Sequence, residues 1–144
     1  MEIRDFTKEY IEGAVQVERL CFEDPWTKEM FESELKNERA NYSVLLDGET
    51  VAGYAGFWKI GDEAHIMNIA VKPEYRRKHF AEMLMEDMIK RAKALFIRNM
   101  TLEVRKSNAA AISLYEKYGF KEAGVRKKYY DNNREDAIIM WNEI

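Results

Sequence analysis

Three basic residues in a row, Arg76, Arg77 and Lys78, stand between an apolar stretch and a helical pattern. The apolar stretch, Ala64 to Val71, carries the β-branched residues Ile66, Ile69 and Val71, the composition of a strand buried on both faces. Pro73 removes a backbone donor and ends that strand. After the basic run, Phe80, Leu84, Met88, Ala92 and Leu95 recur at helical spacing with charged residues between them. A basic turn therefore opens a helix directly after a core strand. Free backbone N–H groups and the positive dipole end converge there, which is chemistry for holding phosphate. The plainer alternative is a solvated basic helix start.

A second group lies in Leu102 to Phe120, LEVRKSNAAAISLYEKYGF. Glu103 is flanked by Leu102 and Val104, so in a strand its side chain takes the face opposite to both. A carboxylate there suits general-base work near neutral pH, or an ion pair with Arg105 or a helix residue. Tyr115 shares a helix face with Ala111 and Tyr118, the position of a core aromatic. Asn108 is placed to cap that helix. His65 faces away from its apolar neighbours and either lines a groove or hydrogen-bonds in the core. Tyr129 and Tyr130 either touch a substrate backbone or fill a sheet face. Cys21, after the first helix, reads as a buried thiol rather than a nucleophile.

The elements that must position these residues follow from pattern and punctuation. Met1 to Asp5 is a short strand, and Thr7 is a cap for a helix to about Cys21 with Ile11, Ala14, Val15 and Val17/Glu18 on its inner face. Pro25 breaks the chain, and Thr27 starts a second helix carrying Phe31 and Leu35. Tyr42 to Leu46 and Val51 to Trp58 form a hairpin across Asp47-Gly48. The helix from Phe80 to Leu95 leads to a strand, Met100 to Val104, then a helix from Asn108 to Tyr118 ended by Gly119. Phe120 to Tyr130 and Asp136 to Trp141 are the last strands. The order β-α-α-β-β-β-α-β-α-β-β predicts an α/β (α+β) fold: a mixed, mostly antiparallel seven-stranded sheet with helices on both faces.

With 144 residues, the chain is expected to be one domain, residues 1–144. No apolar run is long enough to span a bilayer, and the N-terminus is too charged for a signal-peptide core. One cysteine allows neither an intrachain disulfide nor a cysteine metal cluster, which suits a reducing cytoplasm. The net charge of -3 argues against a nucleic-acid binder.

The basic turn resembles the acetyl-CoA-binding motif of the GNAT superfamily of N-acetyltransferases, Gln/Arg-x-x-Gly-x-Gly/Ala. Arg76 and Ala81 fit its first and last positions, and His79 stands where the family has glycine. The element order matches the GNAT fold over nearly the whole chain. LEVR, SN-x-x-A, LY and GF, then Tyr129-Tyr130 and DA-x-x-M, together with Pro25-Trp26, are similar to the branch that acetylates the N-terminal alanine of ribosomal proteins.

The resemblance implies acetyl-CoA as cosubstrate and no metal. It implies Glu103 as general base and Tyr115 as the general acid that protonates the departing CoA thiolate, a transfer expected to run readily. Ile69, Ala70 and Val71 would offer backbone groups to the cofactor and, at a bulge, an N–H to the oxyanion. Arg76, Arg77, Lys78, His79, Phe80, Ala81 and Glu82 would hold the pyrophosphate, and Asn108 the pantetheine arm. Tyr129, Tyr130 and His65 are the candidates for substrate contact. The implied partner is a protein N-terminus, that of a small-subunit ribosomal protein, with no direct nucleic-acid or membrane contact and a monomeric or weakly dimeric enzyme. The alternatives are a GNAT enzyme for a small-molecule amine or lysine, and a CoA-binding module without catalysis.

Overall fold

The computed structural model describes residues 1–144. The strands are β1 (Glu2–Asp5), β2 (Ala40–Asp47), β3 (Thr50–Ile60), β4 (Glu63–Val71), β5 (Asn99–Arg105), β6 (Lys121–Arg126) and β7 (Ala137–Glu143). The helices are α1 (Ile11–Cys21), α2 (Lys28–Leu35), α3 (Phe80–Ala94) and α4 (Ala109–Lys117). Their order is the expected one, and they build a seven-stranded sheet in the order β1-β2-β3-β4-β5-β7-β6. Only β4 and β5 pair in parallel.

The sheet separates two apolar clusters. On one face α1 and α2 bury Ile11, Ala14, Val17 and Phe31 against Phe6, Tyr42, Val44 and Tyr54. The rings interlock: Phe31 meets Tyr54 edge-on at 5.4 Å and stacks with Phe6 at 5.6 Å. On the other face α3 sets Leu84, Met85, Met88 and Ala92 against Leu45, Phe57, Ile66 and Val71. Each fully buried Leu or Met there contributes roughly 1.5–3 kcal/mol. Leu102, Val104, Tyr115 and Phe120 extend that cluster under α4.

Local signals explain most boundaries. Thr27 accepts the Met30 N–H at 3.3 Å and caps α2, and Asn108 accepts the Ala111 N–H at 3.2 Å and caps α4. Gly119, at φ +97°, reverses the chain after α4. Two expectations are corrected. Thr7 does not cap a helix: a 3-10 turn, Lys8–Tyr10, intervenes before α1, and the Thr7 hydroxyl donates to Glu9 instead. The strand expected over Phe120 to Tyr130 stops at Arg126, and Lys128 at φ +53° turns the chain away, so Tyr129 and Tyr130 lie in the β6–β7 loop.

The pairing of β4 with β5 is short. It covers only Glu63↔Asn99, Ala64↔Met100 and His65↔Thr101, although β4 runs on to Val71 and β5 to Arg105. Beyond His65 and Thr101 the two strands diverge and the sheet opens.

Candidate active site

The opening between β4 and β5 continues into a groove of about 1230 Å³. Its floor is the free part of β4 and β5. It is lined further by the basic turn and the start of α3, by the start of α4, and by the α1–α2 and β6–β7 loops.

Along β4 the hydrogen-bond alternation determines which groups face the opening. Lys72 N–H donates to Ala52 C=O at 2.8 Å, so Lys72 and Ala52 are a bonded pair. Tyr54↔Ala70 is then bonded as well, while Gly53↔Val71 and Ala55↔Ile69 are not. Ile69 and Val71 therefore turn their amide groups away from β3 toward the opening. Ala70 spends its groups on β3, which corrects the expectation that all three backbones are available. A bulge lies just before them: Phe57 pairs with Ile66 and Gly56 with Asn68, leaving Met67 as the extra residue.

At the basic turn the backbone N–H groups of Phe80, Ala81 and Glu82 find no acceptor, because the first helical bond is Met83 N–H to His79 C=O. His79 is the N-cap residue of α3 and holds φ +64°, ψ +18°. Glycine reaches that left-handed conformation without strain; histidine keeps it at a cost. Its Nδ1 lies 3.1 Å from Glu82, which also receives Lys117 Nζ at 2.6 Å. Arg77 is left-handed too, at φ +63°.

Arg76 is partly committed within the chain. Its Nε donates to Val71 C=O at 3.1 Å and its Nη2 donates to Cys21 Sγ at 3.3 Å, which leaves Nη1 unbonded within the chain. Arg76, Arg77, His79, Phe80, Ala81 and Glu82 line the groove, whereas Lys78 does not. Cys21 is half-buried and lines the groove, tied to Val71 C=O at 3.4 Å; burial pushes its thiol up.

Glu103 and Tyr115 both line the groove. Leu102 and Val104 are buried toward α4, which leaves Glu103 on the opposite face, as expected. The carboxylate pairs with Arg126 Nε at 3.0 Å, not with Arg105 or a helix residue. Tyr115 is 7% exposed, its ring tilted against Phe120 at 5.8 Å. Burial, and to a smaller extent Tyr130, push its phenol well above the ordinary value.

Tyr130 lines the groove under Arg105, whose guanidinium carbon sits 4.0 Å above the ring centroid. Tyr129 is outside the lining and exposed, and the Glu103 carboxylate beside it raises its phenol. His65 is also outside the groove. It sits in the paired part of β4, with Nε2 3.3 Å from Glu63.

Three groove residues were not singled out from the sequence. Glu18 is 2% exposed and accepts from Trp26 N–H and the Tyr54 hydroxyl, each at 2.9 Å. Asn68 donates to that hydroxyl at 2.8 Å. Arg105 anchors the β6–β7 loop through Asn132 at 2.9 Å and Asn133 at 3.0 Å. A carboxylate on the apolar face of α1 was the visible signal for the first; the other two had none.

Residues 11–120 match the profile of the Acetyltransferase (GNAT) family. The chain belongs to that family. It is 42% identical over 143 residues to a Bacillus subtilis (strain 168) chain provisionally named [ribosomal protein bS18]-alanine N-acetyltransferase, covering 99% of this chain and 95% of that one. It is 38% identical over 130 residues to the [ribosomal protein bS18]-alanine N-acetyltransferase of Escherichia coli (strain K12), covering 89% and 87%. The crystal structure of the ribosomal-protein-S18-alanine N-acetyltransferase from Escherichia coli superposes with a TM-score of 0.92 at 36% identity, over 99% of this chain and 93% of that one.

Proposed function

We propose that this GNAT enzyme transfers acetyl from acetyl-CoA to the N-terminal α-amine of a protein, the alanine that begins ribosomal protein bS18. The near-full-length likeness to enzymes named for that reaction carries the reading. The groove supports it residue by residue.

The chain offers acetyl-CoA a matching set of groups. Ile69 presents an unpaired N–H and C=O, and Val71 an unpaired N–H, along the opening, suited to the amide-bearing pantetheine arm. The free N–H groups of Phe80, Ala81 and Glu82, with Arg77 and His79 beside them, suit the pyrophosphate. Asn108 keeps its cap and lines the same wall.

In the reaction, the α-ammonium of the acceptor has a pKa of ~7.7–8.0, so little assistance frees the amine. Glu103 receives the proton shed as the nitrogen attacks the thioester carbon. A backbone N–H at the β4 bulge steadies the oxyanion. As the C–N bond is completed the C–S bond breaks, and Tyr115 supplies the proton to sulfur. A phenol of pKa ~10 does not hand its proton downhill to a thiolate of ~8.5; the step is ~2 kcal/mol uphill at those reference values. Burial raises Tyr115 further. Delivery therefore has to accompany C–S cleavage, where a thiolate forming in an apolar site is itself more basic. Cys21 is engaged with Arg76 and Val71 and its thiol is raised, which favours direct attack over an acyl-enzyme.

No helix is long and apolar enough to cross a membrane. The reading includes action in the cytoplasm, as a monomer or weak dimer, on a protein rather than on nucleic acid.

The deciding experiment offers acetyl-CoA with two peptides: one beginning with free alanine, the other N-terminally blocked but carrying lysine. Acetylation of the free terminus alone is expected. Acetylation of lysine alone, or turnover only with a small polyamine, would replace this reading with the small-amine or lysine alternative.

A further inference from the structure

Asn68 stands between the bulge at Met67 and the outward-turned amide of Ile69. Ala70, two residues on, packs with Tyr54 in the cluster beneath α1, so Asn68 takes that face of the sheet. Glu103 takes the same face, because Leu102 and Val104 belong to the opposite cluster.

The orientation of the Asn68 amide follows from proton counting. Glu18 accepts on both oxygens: from Trp26 N–H on Oε1 and from the Tyr54 hydroxyl on Oε2. A hydroxyl has one proton, and that of Tyr54 is committed to Glu18. Toward Asn68, Tyr54 can only accept. The NH2 of Asn68 must therefore face Tyr54, at 2.8 Å, and its carbonyl oxygen must face away. Asn68 lines the groove, and Oδ1 is neither bonded within the chain nor sealed from solvent. An oriented carbonyl acceptor is thus presented to the groove on the side where Glu103 stands.

We propose that Asn68 Oδ1 accepts an N–H of the acceptor's α-amine and so turns the nitrogen lone pair toward the thioester, with Tyr54 and Glu18 as positioning residues that lock the amide. The inference rests on the proposed function. A neutral primary amine carries two N–H groups and one lone pair. Holding one N–H restricts rotation about the Cα–N bond and favours the attacking geometry. Alone among the three, Asn68 touches substrate.

The test compares wild type, Asn68→Ala and Tyr54→Phe in three measurements. The first is kcat/KM for an alanine-starting peptide. The second is Ki for the desamino form of that peptide, with propionyl in place of alanine. The third is the acetyl-CoA Kd. Asn68→Ala is expected to lower kcat/KM about 10- to 100-fold, the range for losing a hydrogen bond to the reacting group, while the desamino Ki and acetyl-CoA Kd stay unchanged. Tyr54→Phe is expected to act in the same direction but less. A normal kcat/KM in Asn68→Ala, or a desamino Ki weakened as much as the peptide, overturns the proposal; the latter would mark a structural role. Asn68→Ser, shorter but still able to accept, is expected to recover part of the loss, and its failure to exceed Asn68→Ala counts against the proposal. If wild type does not acetylate the peptide, the functional reading falls and this inference with it, an outcome distinct from either result above.

Discussion

Arg126 Nε lies 3.0 Å from Glu103 Oε1, joining strands that are not neighbours in the sheet. The pair reaches over β7, and both side chains remain open to water, at 55% and 30% exposed. An ion pair of this kind contributes roughly 0–1 kcal/mol. Glu103→Gln should therefore leave the melting temperature almost unchanged. It should lower kcat with an alanine-starting peptide by ~10²–10⁴-fold, the range for a lost general base. Undiminished thiol release at neutral pH would remove Glu103 from the base role.

His79 holds a left-handed conformation at φ +64° with its ring on Glu82. An L-residue there costs ~1–2 kcal/mol. Glycine relieves that cost but adds ~0.4–1 kcal/mol of unfolded-state entropy. His79→Gly should thus change stability by less than about 1 kcal/mol and leave the acetyl-CoA Kd within about threefold, under ~0.7 kcal/mol. His79→Val, β-branched and ill-suited to positive φ, should weaken both folding and acetyl-CoA binding. Calorimetric titration of the two variants checks this; equal affinities for valine and glycine would show that the backbone conformation does not matter to the ligand.

Burial raises the Glu18 carboxyl, against the opposing donors Trp26 and Tyr54. The native chain then binds that proton more tightly than the unfolded chain, whose carboxyl titrates near ~4.3. Stability contributed at this site falls as pH rises from the unfolded value through the raised native one. Glu18→Gln cannot titrate, so the stability of wild type relative to this variant should decline with rising pH across that window. Urea unfolding of both proteins at a series of pH values measures it. Parallel stability curves would contradict the assignment.

The sheet, the helices and the basic turn at the start of α3 were legible in the sequence because those features are local. Periodicity marks α3 through Leu84, Met88 and Ala92, and Asn108 and Thr27 cap where short polar residues precede apolar runs. Glu103 was legible for the same reason, since alternation alone puts it opposite Leu102 and Val104. What stayed hidden depends on contacts between distant segments. The anchoring of Arg76 depends on Val71 and on Cys21, far earlier in the chain. By alternation His65 and Asn68, three residues apart, would take opposite faces; the bulge at Met67 brings them to the same face, and the short β4–β5 pairing separates their surroundings. Tyr129 and Tyr130 fitted a strand pattern, and only the turn at Lys128 removes them from it.

Arg105 holds three residues of the β6–β7 loop at once: Asn132, Asn133 and, at 3.4 Å, Glu135. It also covers the Tyr130 ring. Lysine keeps the charge but not the planar fork. Arg105→Lys should raise the peptide KM about tenfold, ~1.4 kcal/mol, while the acetyl-CoA Kd is unchanged, because the side-chain bonds of this loop run to Arg105, Ser107 and Glu23 and none to the basic turn. A change confined to acetyl-CoA binding would reassign the loop.

The brevity of the β4–β5 pairing also has a mechanical side. Four strands on one flank and three on the other are riveted by three rungs at one end, like a pair of tongs. A ligand whose own amides bond Ile69 and Val71 takes the place of the absent rungs, so loading the enzyme amounts to adding a strand. The N–H groups of Ile69 and Val71 then change from unbonded to bonded, and the two flanks gain rigidity only while the donor is held.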